Sequence, residues 1–307
     1  MPKIVRAIKG ADGMRIPADC MLCLINREMD TLATETDWER KTAYTRELLR
    51  TVADCDPDMT TPQVRARMDT VHAKYYGTGF CRDYAALKRE YNELMLTLEG
   101  ELRADILAAP DPLAHALRLA RVGNYIDYGA GHAVSQEGLL RLLRDAGHDP
   151  LDANELTHLR GDLSAARTAA YLTDNCGEIV ADKLLLERLQ AEFPSVRWTV
   201  IVRGAPVLND ATAEDAALVG LDRLARVVDN GTPYPGTVFA ELGAEASAIL
   251  KAADVLIAKG QANFETLHGC GLNLYFLLLC KCDFFVRRFA VPRLTPMFVN
   301  ESRLELP

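Results

Sequence analysis

From residue 169 onward, short apolar runs alternate with segments of helical periodicity. No other feature of this chain constrains its fold as tightly. A strand that feeds a helix and then another strand returns the chain in the same direction, so the pattern implies a parallel sheet. Strands are expected at 169–172, 197–202, 225–228, 254–258 and 272–279, with a further one at 284–288. Helices are expected at 178–192, 212–219, 235–242 and 247–252. The preceding part shows no strand alternation. Stretches 20–34, 38–53, 61–76, 83–109 and 113–122 carry apolar residues at helical spacing, and two more helices are expected at 135–144 and 156–166. Asp37 is a candidate cap and Pro62 sits at a favoured first-turn position. The 83–109 helix is expected to bend near Gly100. The fold class is therefore α/β with a mostly parallel sheet over residues 151–307, behind an all-helical N-terminal domain over residues 1–150.

Composition narrows the function. The net charge of −8 over 307 residues argues against nucleic acid as a partner, which would need clustered Lys and Arg. No stretch approaches the roughly 20 uninterrupted apolar residues of a membrane helix. The longest apolar run, 272–280, contains Asn273. Residues 1–10 are basic without an apolar signal core behind them, so a cytoplasmic enzyme with its eight cysteines reduced is expected.

The first strand of the alternating part runs into Thr173-Asp174-Asn175-Cys176-Gly177-Glu178 and then a helix. A loop at the carboxyl end of a parallel strand is where such sheets bind ligands. Asp174 and Asn175 are hard oxygen donors of the kind Mg²⁺ or Mn²⁺ prefers. The competing explanation is that one of them caps the following helix. Three later loops open on the same edge: Arg203 to Thr212, Asp229 to Thr237, and Lys259 to Thr266. Asp174, Asn175 and Asp210 make a plausible octahedral metal site, completed by water and a phosphate oxygen. Lys259 and Arg203 place positive charge at strand ends, suited to a phosphate. Gly236 and Thr237, read as lying at a helix start, offer backbone N–H groups to an anion. Asn263 shares the third loop, and Glu265 either orients Lys259 or a water, or is a helix-start carboxylate favoured by the dipole. The glycine-rich stretch 122–132, which includes Asn124, is either a helix C-cap with a connection or a lip of the site; His132 beside it, like His268, is read as a packing or surface residue. The chain has no GxxxxGK[ST], no GxGxxG after a strand, no GxSxG and no HExxH.

Cys20 and Cys23 form a CxxC among helices. A structural zinc site needs two further ligands, for which Cys55, His72, Cys81 and Cys282 are candidates. A redox pair would need a thioredoxin-like strand before it; packing cysteines are the third possibility. Residues i and i+3 share one helix face. Two thiolates match the hard oxygen site poorly, so the pair is expected to serve structure or a second metal at a separate site.

Three spaced motifs now carry a resemblance. Asp174-Asn175-x-Gly177-Glu178, Val202-Arg203-Gly204-x-Pro206-x-x-Asn209-Asp210 and Lys259-Gly260-Gln261-x-Asn263-Phe264-Glu265 resemble the damage-control phosphatase family, formerly domain of unknown function 89. The CxxC and Lys281-Cys282 resemble its prokaryotic branch. The resemblance covers nearly the whole chain in order. It implies a three-layer α/β domain behind a helical one. It also implies phosphatase activity on small phosphorylated metabolites, dependent on a divalent metal (Mg, Mn, Co or Ni). Asp174, Asn175 and Asp210 would be the metal ligands, and Lys259 would face the phosphate. Two positions depart from the family's common pattern: Arg203 stands where Lys is common and Ala262 where Gly is common. The expected function is hydrolysis of a phosphomonoester, either by metal-activated water or through an aspartyl-phosphate on Asp174. The alternatives are a non-catalytic metal- or phospho-metabolite-binding protein and a carboxyl methyltransferase. The last is disfavoured because no glycine-rich loop follows the first strand.

Overall fold

The computed structural model describes residues 14–77, 84–126 and 135–304. Seven helices precede the first strand: α1 (Ala18–Thr31), α2 (Trp38–Ala53), α3 (Thr61–Tyr76), α4 (Tyr84–Ala108), α5 (Pro112–Gly123), α6 (Gln136–Asp145) and α7 (Ala153–Ala165). Most of their starts are set locally. Asp37, Asp111, Ser135 and Asp152 each accept a first-turn backbone N–H, and Thr60 with Gln63 closes a capping box ahead of Pro62. α4 continues as one helix through Gly100.

The alternating part then lays down β1 (Thr168–Leu172), α8 (Glu178–Glu192), β2 (Arg197–Val202), α9 (Ala213–Leu218), β3 (Arg226–Asp229), α10 (Ala244–Ala252), β4 (Val255–Lys259), α11 (Gly260–Leu267), β5 (Leu274–Leu279), α12 (Asp283–Phe289) and β6 (Pro296–Asn300). The strand order is β3-β2-β1-β4-β5-β6, with only β6 antiparallel to its neighbour. Strand order reverses between β1 and β4. The loops leaving those two strands diverge there and open a crevice. Leu172 pairs with Ile201 on one side and Ala258 on the other, so the ends of β1, β2 and β4 are level.

Alternate residues of each strand bury opposite faces of the sheet. Tyr171, Val200, Val202, Ile257, Tyr275 and Leu277 join one cluster with side chains of α4, α5, α7 and α8. Leu172, Ile201, Leu256, Ala258, Phe276 and Leu278 join the other with side chains of α10, α11 and α12. Helices therefore cover both faces, in three layers. A third cluster, with Leu24, Tyr44, Leu48, Val64 and Met68, holds α1, α2 and α3 together. This helical unit meets the α/β part where α3 packs on α11 and where Met14 N–H donates to Glu265 O at 2.6 Å. No helix among the described residues is long and apolar enough to cross a membrane.

Three local expectations need correction. Residues 284–288 are not a strand but lie in α12, because Phe285 and Phe289 at i and i+4 share a face and pack on Phe264 at 5.6 and 5.3 Å. The sixth strand is instead the edge strand β6, which begins at Pro296, a residue confined to such positions. The helix expected at 235–242 is reduced to a single 3₁₀ turn at Phe239–Glu241. In the opposite sense, the stretch after Lys259 is not a loop: α11 begins at Gly260 without one.

Leu185 is fully buried on α8 against the sheet. Leu185→Ala should therefore lower unfolding free energy by about 2–5 kcal/mol. Urea denaturation checks this, and a loss under about 1 kcal/mol would mean that the layer is loosely packed there.

Candidate active site

Asp174 follows β1 directly and Asp210 lies in the loop after β2. Backbone hydrogen bonds zip these loops together: Ala211 N–H donates to Asp174 O at 2.7 Å and Cys176 N–H to Asn209 O at 2.8 Å. Asn175 and Asp210 form an antiparallel bridge. Two carboxylates are thus fixed side by side. Arg203, at the end of β2 and fully buried, contacts both of them: its Nε donates to Asp210 Oδ2 at 2.6 Å and its Nη2 lies 3.5 Å from Asp174 Oδ1. Asp174 Oδ2 accepts from Asn124 Nδ2 and from Asn175 Nδ2, both at 2.8 Å.

Neither Asp174 nor Asn175 caps α8. The cap position is Gly177, with φ 69°, and no side chain bonds there. The helix-cap explanation for this motif therefore falls away. Gly177 N–H instead donates to Asn92 Oδ1 on α4 at 2.6 Å, which fixes the loop to the helical layer. Gly260 serves Asp174 from the other side. Its φ is 78°, and a Cβ there would lie 1.9 Å from Asp174 Oδ2. Only glycine lets β4 turn into α11 so close to this carboxylate.

Asp174, Asn175 and Asp210 line a cavity of about 220 Å³ together with Gln261, Ala262 and Glu265 of α11. α1 and α3 add Cys20, Cys23, Arg27 and Arg65 to the lining, and Cys282 joins it from the start of α12. The CxxC thus lines the same cleft as the oxygen donors, where packing of α3 on α11 lays α1 beside the carboxyl edge of the sheet. Among the described residues no three His, Cys, Asp or Glu side chains are gathered closely enough to cage an ion, Cys20 and Cys23 included. Burial pushes the Cys20 thiol up to about 12, with help from Glu265 and Cys282.

The other expected contacts lie behind this wall. Lys259 does not line the cleft. Its ammonium is buried under β4 and donates to Ala120 O at 2.9 Å, Glu178 Oε1 at 2.5 Å and Asp182 Oδ1 at 2.6 Å. Burial alone would pull this lysine down, but the Asp182 and Glu178 carboxylates outweigh it and hold it above its ordinary value. Burial pushes Asp182 up to about 6 against the pull of Lys259. Asn263 is a crossbrace: its Nδ2 donates to Thr173 O at 3.1 Å and Lys259 O at 2.7 Å, and its Oδ1 accepts from Thr237 Oγ1 at 2.8 Å. Thr237 N–H is taken by Thr266 Oγ1 at 2.8 Å, so Gly236 and Thr237 form no anion nest; no helix starts there to aim their N–H groups at a ligand. Asn124 is buried at the end of α5, with its Oδ1 accepting Leu279 N–H at 3.1 Å. His132, Cys81 and the rest of the expected lip beyond residue 126 lie outside the described residues.

The sequence reading passed over Glu178 as a helix-start residue and missed Asp182. The signal was present: 178, 182, 185 and 189 fall on one face of α8, and two carboxylates among leucines on a buried face need a cation. Asn209 was likewise assigned no contact. It donates to Asn175 Oδ1 and to Ile126 O, both at 3.0 Å.

The donor set fits a hard divalent cation. Two carboxylates and an amide group converge on one cleft, and a glycine clears the space around one of them. The fold is that of an open α/β protein whose candidate site lies at the strand-order reversal. A sequence profile of the damage-control phosphatase ARMT1-like domain matches residues 16–294, and the chain belongs to that family. It is 31% identical over 284 residues to a damage-control phosphatase of Archaeoglobus fulgidus, covering 91% of this chain and 96% of that one. It is 34% identical over 179 residues to the damage-control phosphatase PH1575 of Pyrococcus horikoshii, covering 58% and 61% of the two chains. The crystal structure of a DUF89 family protein from Pyrococcus horikoshii superposes with a TM-score of 0.78 at 24% identity, over 94% of this chain and 99% of that one.

Two predictions follow from the geometry. Gly260→Ala should displace Asp174 by an ångström or so, visible in a crystal structure of the variant; an unmoved carboxylate would show that β4 can relax instead. At pH 8, a thiol near 12 is ionised in roughly one molecule in 10⁴, so iodoacetamide should label exposed Cys23 and leave Cys20 intact. Equal labelling by mass spectrometry would contradict the placement of Cys20.

Proposed function

We propose that this chain is a metal-dependent phosphomonoester hydrolase acting on small phosphorylated metabolites. The observation that carries the reading is the convergence of Asp174, Asn175 and Asp210 on one cleft at the β1/β4 reversal, in a chain of the damage-control phosphatase family. A cavity of about 220 Å³ suits a small metabolite rather than a polymer. Residues 151–307 supply the oxygen donors, and residues 1–150 supply Asn124 and the thiol-lined wall.

Asp174, Asn175 and Asp210 would hold Mg²⁺, Mn²⁺, Co²⁺ or Ni²⁺. Such an ion, when bound, polarises phosphoryl oxygens and lowers the pKa of a water. The protein's own groups set the stage for this. Asn124 and Asn175 fix Asp174 Oδ2 through two N–H donors, which suits a stationary ligand better than an attacking nucleophile. Asn175 turns its Oδ1 toward Asn209, so its amide oxygen must exchange that contact to reach an ion. Arg203 balances the two aspartates from behind the cleft wall, with its Nε on Asp210 and its Nη2 beside Asp174. Glu265 and the thiols face the space where the rest of a substrate would lie.

The test is turnover of a generic aryl phosphate after chelation, with each metal added back, followed by a panel of metabolite phosphates. Asp174→Ala and Asp210→Ala should each lose metal-dependent turnover by at least about 10³-fold; because both carboxylates are buried and pair with Arg203, a thermal melt of each variant separates loss of the site from loss of the fold. Wild-type turnover in either variant, or none in the wild type with any metal, would sink the reading.

A further inference from the structure

Lys259 ends β4, where a phosphate-facing lysine was expected, yet its ammonium enters the layer between the sheet and helices α5 and α8. We propose that Lys259 is a positioning residue for Asp174, acting through Glu178 and the amides of Asn124 and Asn175. The proposal rests on the reading of Asp174 as a metal ligand.

An ammonium has three donors, and Lys259 gives one each to Ala120 O, Glu178 Oε1 and Asp182 Oδ1. With Oε1 held by the lysine, Glu178 turns its Oε2 to Asn124 Nδ2 at 3.0 Å, Asn175 Nδ2 at 2.9 Å and Asn175 N–H at 3.3 Å. The same two amide NH₂ groups also donate to Asp174 Oδ2. Each NH₂ therefore lies between two carboxylates, and that charge decides which end of each amide faces them. The far ends agree with this choice: Asn124 Oδ1 accepts Leu279 N–H and Asn175 Oδ1 accepts from Asn209. Every member is buried, and in a dry network an unmatched donor or acceptor is costly. Once Lys259 is gone, nothing holds Glu178 Oε1, and Oε2 no longer has a fixed aim. The amides then lose one of their two reasons to present NH₂ to Asp174. The ammonium's three partners do not line the cleft, so the side chain acts on the site through this network.

The probe is Mn²⁺ binding to the chelator-treated full chain, read as free Mn²⁺ by electron paramagnetic resonance beside thermal melts. Lys259→Met should weaken Mn²⁺ binding by roughly 10–100-fold, the usual effect of removing a group that orients a metal ligand. Glu178→Gln should do the same, because its NH₂ must oppose either the ammonium or the asparagine NH₂ groups. The Lys259→Met, Glu178→Gln double variant should bind better than the product of the single effects, since a glutamine freed of the ammonium can give its oxygen to both amides. Asp182→Asn also loosens the lysine, but Asp182 reaches only Lys259 and Tyr171 in this network. It should change Mn²⁺ affinity by less than about threefold. Wild-type Mn²⁺ affinity in a cooperatively melting Lys259→Met protein overturns the proposal, as does Asp182→Asn weakening Mn²⁺ as much as Glu178→Gln. If Lys259→Met does not fold, the Glu178→Gln and Asp182→Asn pair decides the matter. A wild-type protein that binds Mn²⁺ without hydrolysing any phosphate ester overturns the functional reading and leaves this one standing.

Discussion

Two like charges held side by side out of bulk water set the terms for the rest of this structure. Asp174 and Asp210 would repel each other in a low-dielectric crevice. The fold compensates with one guanidinium and a set of aimed amides. Arg203 spans the pair from behind the cleft wall. Asn124 and Asn175 then hold the second oxygen of Asp174. Neither device works unless the backbones of two loops are locked in register, which the Ala211–Asp174 and Cys176–Asn209 hydrogen bonds achieve. The ends of β1, β2 and β4 are level for the same reason. A carboxylate fixed in this way keeps its charge at the cleft in one orientation.

The helical layer is part of that arrangement. Asn92 on α4 accepts from Gly177 and donates to Asp215, which is in turn paired with Lys88 at 2.6 Å. Asn124 at the end of α5 reaches Asp174, Glu178 and the backbone of β5. The layer made of α4 to α7 shares its apolar cluster with the sheet, whereas α1 to α3 have their own. The first group braces the Asp174 loop, and the second lines the cleft.

The alternating pattern made the parallel sheet legible, and the loops at its carboxyl edge were legible because open sheets bind ligands there. Residue type and loop position together placed Asp174 and Asp210 at that edge, where both line the cleft. The side on which Lys259, Asn263 and Thr237 lie was not legible. A lysine at a strand end can turn into the cleft or under the sheet, and only the two carboxylates on the buried face of α8 decide between them. Asn263 and Thr237 look like ligand-binding residues in a list, but each is fully engaged in joining β1, β4 and the 229–237 loop. The α12 error has a similar origin. Phe284-Phe285-Val286 satisfies a strand as well as a helix at short range, and it is the packing of Phe285 and Phe289 on Phe264 that selects the helix.

The position of the CxxC follows from neither chemistry nor spacing. The two CxxC thiols share one small cavity with Asp174, Asp210 and Glu265 because a helical unit with its own core is laid against α11. The lining therefore mixes hard oxygen with soft sulfur, and Arg27 and Arg65 add positive charge to it. Burial beside Glu265 raises the Cys20 thiol, so a carboxylate stands next to the sulfur as well as at the ends of β1 and β2. Charge in the cleft is thus set by where α1 and α3 come to rest as much as by the loops of the sheet.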